Sequence, residues 1–168
     1  IPGQPQPATD CRALGMKSIT WDYPNPHLLP LTVDDQHLDA MRHTNNVVYL
    51  AWVEQVAWHH SHQLGLSWDD YVRLGHGMVA RRHELDYLAP TVAGDQLLLA
   101  TWIISADRLS ITRAYQFVRQ SDHKTVFRGT TRWVCVDLES GRPRRLPAEF
   151  EHAYQRALVP PEATPDTR

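Results

Sequence analysis

Cysteine is scarce in this 168-residue sequence, which contains Cys11 and Cys135 and no third cysteine. Two such distant cysteines do not make a disulfide framework, so we expect a reducing compartment, the cytoplasm. Lysine is equally scarce, since 17 basic residues include only Lys17 and Lys124. The formal net charge of −2 argues against a broad basic surface, and we therefore expect no nucleic-acid partner.

The sequence also lacks any apolar run that approaches the roughly 18 residues needed to cross a membrane, so we expect no membrane partner. Its first residues, IPGQPQPATD, contain neither a basic nor an apolar segment, and we do not expect a signal peptide. Both ends are rich in proline and small polar residues, which predicts flexible tails over residues 1–17 and 159–168. Residues 18–158 are predicted to form a single domain.

Hydrophobic spacing predicts one long helix over residues 46–64. Its stripe recurs at steps of three and four residues and consists of Leu50, Val53, Ala57, His60 and Leu64. Gly65 is a typical helix end. Ser67, followed by Trp68 and two aspartates, predicts the N-cap of a short second helix over residues 67–74.

After residue 77 the hydrophobic period changes to two residues, which indicates β-strands. We predict strands over residues 28–33, 78–88, 97–104, 110–119 and 125–137, and a closing helix over residues 147–158. Pro30 favours an edge position for the first strand, because proline cannot donate to a central ladder. Short turns between the later strands require antiparallel neighbours. A long antiparallel sheet beside one apolar helix predicts an α+β hot-dog fold, in which the sheet wraps around the helix.

The segment LDAMRHTNNVVYL, residues 38–50, places a polar cluster directly before the long helix. Asp and Asn are favoured helix N-caps, so Asp39 and Asn45 could serve only to cap this helix. Asp39 nevertheless lies seven residues before Asn46, too far upstream to cap a helix that starts there. A capping role and a catalytic role therefore both stay open from these residues alone.

Three histidines, His59, His60 and His62, raise the possibility of a metal site. His60 lies on the apolar stripe, whereas His59 points in nearly the opposite direction around the helix. No carboxylate or cysteine at a useful spacing completes a set of metal ligands, so we expect no metal.

Three segments of the chain resemble the 4-hydroxybenzoyl-CoA thioesterase-like family of acyl-CoA thioesterases. The first is DAMRHTNNVVYL, residues 39–50, where the family pattern is roughly Asp-Ala-Met-Gly-His-Val-Asn-Asn-x-x-Tyr-Leu. The others are ELDYLAP of residues 84–90 with the Gly-Asp at 94–95, and WVCVD of residues 133–137 with the Gly-Arg-Pro at 141–143. The resemblance covers about residues 28–155. It implies a hot-dog fold that hydrolyses acyl thioesters without a metal or other cofactor.

The resemblance also implies the catalytic residues. Asp39 would act as a general base toward water or as a direct nucleophile. The backbone N–H of Asn46, at the start of the helix, would stabilise the negative charge on the thioester oxygen. Glu54 is a second candidate for the base, although a structural salt bridge is an alternative role for it.

Four further residues of the first segment are candidates for substrate binding. His43 and Asn45 would shape the loop or contact the thioester, and Tyr49 would line the acyl pocket, while a structural role stays open for each. Arg42 stands where the family pattern has glycine, so a position that needs positive φ or close approach would be altered.

Coenzyme A carries phosphates, and arginines are expected around the entrance of a site that binds it. The candidates are Arg128 on the last predicted strand and a group after the final turn, Arg142, Arg144 and Arg145; for that group a solvated charge cluster is the default explanation. The partners we expect are acyl-CoA and further copies of the chain, as a homodimer or homotetramer. Alternatives are a catalytically silent acyl-CoA-binding module and a small acyl carrier protein thioesterase. Hot-dog hydratases pair an Asp and a His on one loop, as Asp39 and His43 could, but residues 39–50 lack the Asn-Pro pair of the typical hydratase segment.

Overall fold

The computed structural model describes residues 19–161, so the predicted leader and residues 162–168 of the predicted tail lie outside the described residues. The elements follow in the order β1 (His27–Thr32), α1 (Asn46–Gln63), α2 (Trp68–Leu74), β2 (His76–Tyr87), β3 (Gln96–Ala106), β4 (Ser110–Arg119), β5 (Lys124–Asp137) and α3 (Ala148–Ala157). Every predicted helix and strand is present, with ends within two residues of those predicted. Val159, assigned from the sequence to the tail, is buried and donates a backbone hydrogen bond to the Ile103 carbonyl at 2.9 Å.

The five strands form one antiparallel sheet in the order β1-β3-β4-β5-β2. β1 is an edge strand, and Pro30 within it pairs with Leu98 of β3, as its position at the edge permits. β2 forms the other edge. This architecture confirms the predicted α+β fold.

Helix α1 packs its apolar side on the sheet. Val53 and Val56 are fully buried against sheet residues such as Leu99, Phe117 and Phe127. The buried surface of α1 is wider than the predicted stripe, because it also includes Tyr49 and Trp52. Among residues 19–161, none of the helices combines the length and hydrophobicity that crossing a membrane requires.

A buried cation lies beside the C-terminal half of α1. Arg113 of β4 is 2% exposed and donates to Nδ1 of His60 at 2.7 Å and to Oγ of Ser61 at 3.1 Å. A guanidinium can only donate, so His60 must accept at Nδ1 and is neutral. Burial and the charge of Arg113 lower the pKa of His60 to about 2. His27 of β1 stacks on His60, and burial, together with His59 and Arg113, lowers the pKa of His27 to about 4.

The free energy of unfolding is expected to fall as the pH decreases below about 6.5. His27 and His60 stay neutral in the folded chain, whereas in the unfolded chain they bind protons near pH 6.5. Acid therefore favours the unfolded state; the loss of stability from His27 continues down to its folded-state pKa of about 4, and that from His60 down to about 2. His60 alone contributes up to about 1.4 kcal/mol per pH unit. Urea unfolding at several pH values between about 7.5 and about 5 measures this slope.

Two glutamine variants separate the buried histidine from an exposed one. His60→Gln keeps an acceptor for Arg113 but takes up no proton, so it should reduce the pH slope. His62→Gln replaces an exposed histidine of the same helix and is the matched control. Wild-type stability that does not change over this pH range would contradict the account.

Candidate active site

The polar segment before α1 forms a tight turn. Leu38 and Thr44 form an antiparallel bridge that closes it. Within the turn, the Asp39 N–H donates to the His43 carbonyl at 2.8 Å. The turn is joined to the sheet region because the Thr44 N–H donates to the Thr91 carbonyl at 2.9 Å. Backbone hydrogen bonds therefore hold this polar segment in one conformation, both within the turn and to the segment after β2.

Arg42 occupies the left-handed region of the backbone, with φ of 64°. Its N–H donates to the Asp39 carbonyl at 3.0 Å, which tightens the turn. A residue with a Cβ atom pays roughly 1–2 kcal/mol for this conformation and glycine does not, which explains why the resembled pattern has glycine there. The Arg42 side chain points to Asp35, with which it forms an exposed ion pair at 3.1 Å. Arg42 thus keeps the backbone geometry of the turn and adds a cation beside it.

The backbone of the turn orients the carboxylate of Asp39. Its Oδ1 atom accepts hydrogen bonds from the N–H groups of Met41 at 2.9 Å and His43 at 3.4 Å. Its Oδ2 atom makes no hydrogen bond with the residues that the structure describes. One carboxylate oxygen is therefore held in place while the other is available to water or to a substrate.

Helix α1 begins with an amide that has no partner. Asn45 is the N-cap and accepts at Oδ1 from the Val47 N–H at 3.1 Å. The N–H of Asn46, the first helical residue, has no acceptor within residues 19–161, whereas the Asn46 carbonyl accepts from the Tyr87 hydroxyl at 2.9 Å. A helix start carries partial positive charge, and a free N–H there is suited to bind an anionic oxygen. Asn45, not Asp39, caps this helix.

Three buried hydroxyls join the turn, the helix and the segment after β2. The Tyr49 hydroxyl lies 2.8 Å from Oγ1 of Thr91, which lies 2.6 Å from Oγ1 of Thr44. The ring of Tyr49 stacks on Phe127 of the core, with 5.2 Å between ring centroids. Burial raises the pKa of Tyr49, so its hydroxyl stays protonated. Sequence reasoning did not identify Thr44 or Thr91, and a contact across 47 residues leaves no local signal in the sequence.

Tyr49→Phe is expected to destabilise the fold by about 1–2 kcal/mol, because Thr91 loses a buried hydrogen-bond partner. Urea unfolding measures the difference from wild type. Tyr87→Phe is the matched control. Because Tyr87 is 48% exposed, loss of its hydroxyl should lower the free energy of unfolding by clearly less. Equal losses in the two variants would show that the buried hydroxyl network does not hold the turn.

The remaining predicted substrate-binding residues lie away from this turn. Glu54 follows Asn46 by eight residues, about 12 Å along the helix, and lines a separate cavity. Arg128 forms a bidentate ion pair with Asp22 at 2.7 and 2.9 Å. Strand alternation places Arg128 on the face opposite that of the buried Phe127. In the part of the chain that the structure describes, no group of three or more His, Cys, Asp or Glu side chains is arranged to hold a metal ion.

Comparison with known families gives one match that spans most of the domain. The family model of the thioesterase-like superfamily matches residues 33–154. This range contains the turn, the three buried hydroxyls and four of the five strands, β2 to β5.

Known structures share the fold at low sequence identity. A 1,4-dihydroxy-2-naphthoyl-CoA thioesterase from Synechocystis is 18% identical, with a TM-score of 0.71, over 78% of this chain and 96% of that one. A DHNA-CoA thioesterase from Staphylococcus aureus is 18% identical, with a TM-score of 0.73, over 78% and 89% of the two chains. A hypothetical protein from Staphylococcus aureus, in complex with CoA, is 16% identical, with a TM-score of 0.74, over 83% and 91%. These likenesses confirm the hot-dog fold.

Proposed function

The chain belongs to the thioesterase-like superfamily, and from this membership we propose that it hydrolyses acyl-CoA thioesters to a free acid and CoA. The observation that carries the proposal is the unpartnered Asn46 N–H at the start of α1, in the same turn-and-helix segment as the free Oδ2 atom of Asp39. The substrate class is supported by the similar structures, two of which are named as CoA thioesterases and one of which is a complex with CoA.

Hydrolysis of a thioester needs a nucleophile and a place for the negative charge that develops on the carbonyl oxygen. The Asn46 N–H and the partial positive charge of the helix start supply that place, and one such donor is typically worth about 10²–10³ in rate. Asp39 takes a proton from the water that attacks the carbonyl carbon, or attacks that carbon itself through Oδ2. In the second case water then hydrolyses the acyl-aspartyl anhydride. In both cases the C–S bond breaks and CoA leaves as the thiolate.

The exposed side chains of the turn are assigned to substrate binding in this proposal. Arg42 is 74% exposed at its side chain, and His43 is exposed beside it. In this proposal both side chains contact the CoA part of the substrate, Arg42 through a phosphate. Asn45 contributes by capping the helix, which keeps the Asn46 N–H in position.

Self-association into a homodimer or homotetramer is part of the proposal. Large apolar side chains near the turn are exposed to solvent, and they are Met41, Val47, Tyr87, Leu88 and Val92. Exposed apolar clusters of this kind mark protein interaction surfaces or ligand grooves. Light scattering on the purified chain, at two or more concentrations, measures the oligomeric state, and a strict monomer would contradict this part.

A thiol-release assay over a panel of aliphatic and aromatic acyl-CoA esters tests the proposed reaction. We expect release of free CoA well above the uncatalysed rate for at least one ester. The same esters attached to acyl carrier protein are the comparison set, and turnover restricted to them would point to an acyl carrier protein thioesterase. Tight acyl-CoA binding by calorimetry without any turnover would overturn the hydrolase proposal in favour of a silent binding module.

A further inference from the structure

A cavity lies between the C-terminal half of α1 and the strands β2, β4 and β5. Its volume is about 270 Å³, close to the lower end of the range of about 300–1,000 Å³ for small-molecule sites. Neither Asp39 nor Asn46 lines it. Much of its wall consists of aromatic rings, from Trp58, Tyr71, Trp133 and Tyr154. The cavity is therefore separate from the turn and is suited to an apolar or aromatic molecule.

Arg113 places an uncompensated positive charge in this wall. It is 2% exposed, and its two identified partners, His60 and Ser61, are neutral. Among residues 19–161, no carboxylate lies within ion-pair distance of its guanidinium. Burying a charge is strongly unfavourable unless an opposite charge or several hydrogen bonds compensate for it. The described residues thus hold a cation at the cavity without supplying its counter-ion.

Glu54 makes the cavity asymmetric in charge. It lines the same cavity but lies seven residues before Ser61, about 10 Å along α1, and forms no ion pair with Arg113. An anionic group would be attracted toward Arg113 and repelled near Glu54. Trp58 and Val79 border the cavity and are 36% and 46% exposed, so a ligand can enter from solvent.

We propose that this cavity binds a small monocarboxylate with an apolar or aromatic body, whose carboxylate pairs with Arg113. Guanidinium and carboxylate form short, paired hydrogen bonds, and the aromatic walls remove the body of the ligand from water. Glu54 disfavours a second carboxylate at the other end of the ligand. The proposal does not rest on thioester hydrolysis, because the ligand binds without reacting.

Benzoate binding to the full chain tests this proposal. Trp58 and Trp133 line the cavity, so tryptophan fluorescence should respond to ligand, and calorimetry gives the dissociation constant. Benzamide has the same shape without the charge, and we expect it to bind at least about tenfold more weakly, as loss of a charge-assisted hydrogen bond implies. Terephthalate, with a second carboxylate, should also bind more weakly than benzoate.

Three variants assign the effect to single residues. Arg113→Met should weaken benzoate binding at least about tenfold, and the variant should still fold because apolar replacement of a buried charge is often tolerated. Glu54→Gln should reduce the preference for benzoate over terephthalate. Glu139→Gln, in the exposed turn after β5, should leave both affinities unchanged.

Three outcomes would overturn the proposal. They are no benzoate binding by the wild type, benzamide binding as tight as benzoate binding, or full benzoate affinity in folded Arg113→Met. If Arg113→Met does not fold, two measurements still test the proposal. They are the affinity of the wild type for benzamide relative to benzoate, and the preference of Glu54→Gln for benzoate over terephthalate.

Discussion

Asp39→Asn is expected to lower kcat for acyl-CoA hydrolysis by at least about 10². The amide has nearly the shape of the carboxylate, and its oxygen can still accept from the N–H groups of Met41 and His43, so the turn should persist. It can neither accept a proton from water nor attack the thioester carbon. KM should change much less than kcat, because Asp39 acts on the reacting atoms. Initial rates of thiol release over a range of acyl-CoA concentrations separate the two constants.

Two further variants control for charge and for the location of the base. Asp35→Asn removes a nearby exposed carboxylate that pairs with Arg42, and it should retain activity within about threefold, as expected for loss of an exposed ion pair. Glu54→Gln removes the second candidate base. Full activity of Asp39→Asn together with loss of activity in Glu54→Gln would place the base on the helix instead of the turn.

The order of helices and strands could be predicted because it depends on local patterns. The change of hydrophobic period from 3.6 to two residues locates the sheet, and β4, Ser110–Arg119, has the predicted ends. Ser67 caps α2 as expected from its position before two aspartates. Pro30 indicated an edge strand because its missing N–H excludes it from the interior of a sheet. In each case the physical cause acts within a few residues of the chain.

The tertiary partners of the site could not be predicted, since they come from distant parts of the chain. Thr91 has no sequence feature that marks it, yet it joins Tyr49 and Thr44 in the core. Arg113 shares a face of β4 with the buried Ile111 and Tyr115, but its partners His60 and Ser61 lie more than 50 residues away in the sequence and could not be predicted. Arg128, by contrast, was expected near the CoA entrance, and its side chain pairs with Asp22 on the other face of the sheet.

At position 42 the sequence showed only that arginine replaces the glycine of the resembled pattern, and the structure shows which backbone conformation it adopts. From the sequence, an arginine in place of glycine was expected to alter a position that needs positive φ or close approach. The φ of 64° shows that the backbone keeps the left-handed conformation for which glycine is favoured. The turn therefore forms with arginine at this position, and the Arg42 N–H donates to the Asp39 carbonyl within it.

Asn46→Pro is expected to lower kcat by about 10²–10³ while α1 still forms. Proline removes the backbone N–H and is well tolerated at the first helical position, where that N–H has no intrahelical partner. Asn45, with φ of −59° and ψ of 135°, already has the extended conformation that a residue before proline requires. Circular dichroism and urea unfolding check that the helix and the stability are retained.

The ratio of kcat in Asn46→Pro to kcat in Asn46→Ala tests most directly the claim that the first amide of α1 stabilises the thioester oxyanion. Both variants lose the asparagine side chain, but only proline loses the N–H. If the Asn46 N–H stabilises the oxyanion, the ratio should be about 10⁻² or lower, with Asn46→Ala close to wild type. Equal rates of thiol release by the two folded variants would contradict it.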